Sequence, residues 1–112
     1  MVVCTTDILN YALTLEHLEA TFYEQGMKNY TRDDFMAAGC EDTFYKNIMK
    51  VGEDEKSHEQ SLTKALSAAG AKPVEHYTYN FPVTDVKGFL AVGSMLEGIH
   101  IHLSKFYHKH QS

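Results

Sequence analysis

Residues 48–66 read IMKVGEDEKSHEQSLTKAL. Ile48, Val51, Leu62 and Leu66 recur at whole-turn spacings, the mark of one helix face. Glu55 and His58, three residues apart, fall within that apolar stripe rather than opposite it. The helical pattern extends over residues 41–69 and takes in Phe44. Gly70 stops it, and Pro73 prevents its resumption. Gly52 interrupts it at a cost of about 1 kcal/mol relative to alanine, which points to close approach of a neighbouring helix.

Working outward, residues 6–25 carry Ile8, Tyr11, Leu15, Leu18 and Phe22 at helical spacing. Thr5 or Thr6 can cap this helix, Asp7 suits its positive end, and Gly26 is a suitable stop. Thr31-Arg-Asp-Asp34 reads as a capping box for one or two helical turns closed by Gly39. A third long helix is expected over residues 85–107, capped by Thr84, with Phe89, Val92, Leu96, Ile99, Leu103 and Phe106 as its stripe. Gly88, Gly93 and Gly98 on it indicate tight packing or a local bend. Residues 71–83, AKPVEHYTYNFPV, alternate Tyr77, Tyr79 and Phe81 between two prolines. They read as an extended crossover passing over the bundle end, with the aromatic side chains turned inward. The expectation is one all-α domain over residues 1–112: three long helices plus a short helix.

Composition excludes several functions. The chain has 112 residues, 44% of them hydrophobic, and a formal net charge of −5. It has no Lys/Arg run, so no nucleic acid partner is expected. No run of about eighteen apolar residues offers a membrane span. Cys4 and Cys40 are too few for a disulfide scaffold or a thiolate zinc site, and could be bridged or free. MVVCTTDILNYAL lacks the basic and apolar regions of a signal peptide, which leaves the compartment open. Gly-rich phosphate loops, Gly-x-Ser-x-Gly elbows and paired Cys motifs are absent from the sequence.

The chemistry concentrates in acids and histidines. A carboxylate and an imidazole inside an apolar stripe must be paired with each other or hold a metal. Glu-x-x-His on a bundle helix serves carboxylate-bridged dinuclear centres. On the first helix Glu19 sits close to the stripe and Glu16 on its flank, with Tyr23 along the same edge. On the third, Glu97 lies at the stripe's edge and His100 nearer its centre, a second Glu-x-x-His. His17 is expected to face solvent, His76 to pack in the crossover, and His102, His108 and His110 to be surface or tail residues.

DILNYALTLEHLEATFYEQG and IMKVGEDEKSHEQSLTKALSAAGAKPVEHYTYNFPVTDVKGFLAVGSMLEG, spanning residues 7–98, resemble the ferritin-like domain of fungal stress-response and late sexual development proteins. Plant desiccation-related proteins belong to the same broad group. The resemblance implies a ferritin-like four-helix bundle with a dinuclear iron or manganese site. In that pattern Glu55 and His58 match the second-helix motif and Glu97 the third-helix glutamate. Glu16 with Tyr23 matches the first-helix pattern, while periodicity favours Glu19, so both stay as candidates. The family continues into a fourth helix with a further Glu and His. This chain reaches Ser112 first, so the fourth bundle helix is expected to be missing, with His100 standing in for one ligand. The resemblance also implies export.

Two readings follow. One is a ferritin-like protein of a stress or development response with a partial carboxylate/histidine metal site. The other is a non-catalytic structural or interaction module whose site is degenerate. Under either, an unfilled apolar groove calls for a homodimer or another partner that supplies a helix.

Overall fold

The computed structural model describes the backbone of residues 5–110 and the side chains of residues 5–99. The expectations about Cys4, and about the side chains of His100, His102, Leu103, Phe106, His108 and His110, lie outside them. Among the described residues four helices form: α1 (Thr5–Asn29), α2 (Arg32–Ala37), α3 (Asp42–Ala68) and α4 (Val86–His110). Among the described residues there is no strand, and no helix is long and apolar enough to cross a membrane.

The boundaries follow local chemistry. The Thr31 side chain accepts from the Asp34 amide at 3.2 Å, and the Asp34 carboxylate accepts from the Thr31 amide at 2.8 Å, completing the capping box of α2. Gly39 (φ +92°) and Gly70 (φ +78°) take the left-handed conformation just beyond α2 and α3. At α4 the capping side chain is Asp85 rather than Thr84: its carboxylate accepts from the Gly88 amide at 2.7 Å.

Gly26 does not end α1, which runs one turn further to Asn29. A Cβ at Gly26 would lie 2.2 Å from Cε1 of Phe89, so this glycine is the slot into which the Phe89 ring fits. Phe89 joins Phe22, Tyr23, Phe35 and Val86 in the core. Phe22 stacks on Phe89 at 4.8 Å, and Phe35 meets Tyr45 edge-on at 5.0 Å.

Cross-helix pairings set the directions. His17 meets Glu59 while Tyr23 meets Gly52, so α1 and α3 are antiparallel. Gly26 meets Phe89 while Tyr23 meets Glu97, so α4 is antiparallel to α1 and parallel to α3. Parallel neighbours need a long connection. The segment after α3 therefore runs lengthwise along α1, not over the bundle end. Asn10 donates to the Lys72 carbonyl at 3.0 Å and accepts from the Val74 amide at 2.8 Å; farther along, Phe81 packs edge-on against Phe22 at 5.1 Å. Only part of the aromatic alternation points inward: Phe81 and Tyr79 are half-buried, and Tyr77 is 64% exposed.

Candidate metal centre

The inward face of α1 is built from Leu13, Glu16, His17, Glu19, Ala20, Phe22, Tyr23 and Gly26. These positions recur at three and four residues, but the face is rotated from the one the apolar spacing selects. Tyr11 is exposed, and Leu15 and Leu18 are only half-buried. Glu16 and Glu19 are thus both interior, at 4% and 2% exposure. Glu55 of α3 joins them at 6%.

Two glycines bring the other helices to this face. A Cβ at Gly52 would lie 3.1 Å from the Tyr23 Cβ, so α3 approaches α1 closely just before Glu55. At Gly93 it would lie 3.3 Å from the Phe22 ring and 3.5 Å from the Tyr23 hydroxyl oxygen, one turn before Glu97 on α4. Tyr23 is wedged between these approaches and donates its hydroxyl to Glu97 Oε1 at 3.1 Å.

The carboxylates converge on Glu55. Glu16, Glu55 and His58 each offer a ligand atom within 4.8 Å of the others, and so do Glu19, Glu55 and Glu97. His58 is the outer member. Its side chain is 57% exposed, with Nδ1 at 3.7 Å from Glu16 Oε2 and 3.9 Å from Glu55 Oε1. The interior position expected for His58 is therefore corrected to the rim: six residues, about 1.7 turns, beyond Gly52, it is rotated off the α1-facing line that Gly52, Glu55 and Glu59 share. Glu97 is half-buried and in the cluster; the side chain of His100 lies outside the described residues.

So many acids in one buried place cannot all be ionised without a compensating cation. Glu16 is held well above the usual carboxylate range, by burial first, then by its hydrogen bond with Glu55 and by repulsion from Glu55, Glu97 and Glu59. Glu19 is raised for the same reasons: burial, the Glu55 hydrogen bond, and repulsion from Glu55, Glu97 and Glu16. Burial and the neighbouring Glu97 also raise the Tyr23 hydroxyl. The cluster must hold protons or cations in their place.

A model of the ferritin-like domain matches residues 5–102. The chain belongs to the ferritin-like domain family. No curated protein matches it. The expected all-α ferritin-like helical bundle is thus the fold observed, and its lengthwise crossover is the connection such a bundle needs between parallel helices. In this ferritin-like chain the acids of α1, α3 and α4 meet at one level of the bundle, with a tyrosine bonded to the α4 acid.

Sequence reasoning misplaced His17. It is 5% exposed, and its ring nitrogens face Glu59 and the Val74 carbonyl. The available signal was spacing: His17 stands four residues after Leu13 and three before Ala20, both buried.

Proposed function

We propose that this ferritin-like bundle binds two cations of the iron or manganese class between α1, α3 and α4, with Glu55 shared between the two positions. The observation that carries the reading is that two three-ligand groups meet at this one buried carboxylate. Glu16, Glu55 and His58 would hold one cation; Glu19, Glu55 and Glu97 would hold the other. His100, one turn after Glu97 on α4, is proposed as a further ligand. The donor set is nearly all carboxylate oxygen with one imidazole at the rim, which suits hard to borderline divalent metals and not soft ones. Such metals would supply redox chemistry with oxygen-containing substrates.

The chain's own residues have definable tasks. Glu16 and Glu19 would give up protons as cations arrive, since ligation requires the carboxylate form. Tyr23 fixes the orientation of Glu97 through its hydroxyl. The rings of Phe22 and Tyr23 shield one end of the cluster, while exposed His58 marks the side from which solvent and metal would enter.

The setting in a stress or development response is supported by the resemblance of residues 7–98 alone. Association with a second copy would cover the side of α4 that exposes Met95 and Ile99, and light scattering tests it. The metal reading is tested by anaerobic reconstitution followed by elemental analysis. About two equivalents of iron or manganese per chain are expected for the native sequence, with loss of both on Glu55→Ala. A protein that folds cooperatively and retains neither metal is instead the non-catalytic module, its carboxyl groups bonded to one another through protons.

A further inference from the structure

One helical turn along α3 from Glu55, a second group of donors gathers that the carboxylate cluster does not use. Glu59 of α3 lies against His17 of α1 and His76 of the crossover. The three elements contribute one ligand atom each, all within 4.8 Å of one another. His76 Nε2 stands 2.8 Å from Glu59 Oε2, and His17 Nδ1 faces the same oxygen. The two imidazole rings are tilted at 39° with centroids 3.8 Å apart.

The orientation of His17 carries the argument. Its Nε2 is 2.8 Å from the Val74 carbonyl oxygen, which can only accept. In the neutral ring the one N–H is therefore on Nε2. The lone pair on Nδ1 then points at the Glu59 carboxylate, beside His76 Nε2. In the neutral ring two acceptors, His17 Nδ1 and the Glu59 carboxylate, thus face each other with His76 Nε2 beside them, an arrangement that a cation would satisfy. A backbone carbonyl that fixes the far nitrogen of an imidazole is the usual second partner of a metal-bound histidine.

We infer that His17, Glu59 and His76 form a separate binding site for one divalent cation of the zinc class. Two imidazole nitrogens and one carboxylate oxygen are a borderline donor set, in contrast to the nearly all-oxygen set around Glu55. Three protein ligands leave a fourth position open, on the side where half-exposed His76 meets solvent. A cation there would clasp the crossover to α1 and α3, adding to the two hydrogen bonds that Asn10 makes with the crossover backbone. The site shares no residue with the cluster around Glu55 and stands whether or not that cluster binds metal.

The test is titration of the chelator-stripped full chain with zinc alone, read by nitrogen-resolved NMR of the imidazole rings and by calorimetry. Zinc is expected to move the resonances of His17 Nδ1 and His76 Nε2 together, and to leave His17 Nε2 bonded to its carbonyl. His76→Ala replaces a half-exposed side chain, so the fold should survive. It should lose one zinc equivalent, or bind it at least about ten-fold more weakly, and Glu59→Gln should do the same. Glu55→Gln should leave this equivalent in place. A His17 Nδ1 resonance that stays put at saturating zinc would overturn the inference. So would a His76→Ala variant that binds as many equivalents as tightly as the native chain.

Discussion

Consider the metal-stripped protein carried from acid towards alkaline pH. Burial, the hydrogen bonds with Glu55 and repulsion among the acids hold Glu16 and Glu19 far above 4.5, the ordinary value for a glutamate. The folded chain then keeps protons that the unfolded chain releases above that pH. The slope of unfolding free energy with pH is 2.303RT times the protons bound unfolded minus those bound folded, which is negative here. This contribution is fully present below about pH 4.5 and is lost as pH rises towards the folded values. Each retained proton removes about 1.4 kcal/mol per pH unit. Over the 2.5 units from 4.5 to 7 that is about 3 kcal/mol per proton, against a total stability of about 5–15 kcal/mol. Glu19→Gln is nearly isosteric, carries no charge and can still donate to Glu55. The variant should gain up to about 3 kcal/mol at pH 7 and unfold with a shallower pH dependence. Urea unfolding at several pH values between 5 and 8, with chelator present, measures both. A native midpoint that rises over this range, or a Glu19→Gln variant less stable than the native chain at pH 7, would refute the reasoning.

Gly26→Ala drives a methyl into the Phe89 ring, whose nearest atoms would lie 2.2–2.8 Å away. It should cost about 1–3 kcal/mol, seen as a lower thermal midpoint by circular dichroism. Thr31→Ala removes the capping box of α2 and should cost about 0.5–2 kcal/mol in denaturant unfolding, with metal content unchanged. Tyr23→Phe deletes the bond to Glu97. It should cost about 1 kcal/mol and weaken metal retention by about ten-fold in a competition titration with a chelator.

The helices were legible because their ends carry explicit signals: Thr31 with Asp34, Gly39, Gly70 and Pro73 each act where local chemistry says they should. The side of α1 that faces inward was less legible. Apolar spacing selects Tyr11, Leu15 and Leu18, but the interior position belongs to Glu16, His17 and Glu19. A polar site inside a bundle inverts the rule by which polarity reports exposure, so the stripe read from apolar residues is rotated away from the true interface. Gly26 misled for a related reason. A glycine is a helix stop or a packing slot, and only the position of Phe89 decides between them. The course of the crossover was hidden because its hydrogen bonds are to Asn10 and His17, more than fifty residues earlier. Glu55 and Glu97 were legible as inward-turned acids because each lies on or beside a stripe kept in part, with Phe44 and Ile99 exposed, on helices pinned to α1 at Gly52 and Gly93.

The central claim is that two cations bind on either side of Glu55. Crystals of the protein reconstituted with manganese, measured for anomalous scattering, test it most directly. The account predicts two strong anomalous peaks in the bundle. One would fall among Glu16, Glu55 and His58, the other among Glu19, Glu55 and Glu97. An anomalous map with no peak within bonding distance of Glu55, from crystals grown at saturating manganese, would contradict it.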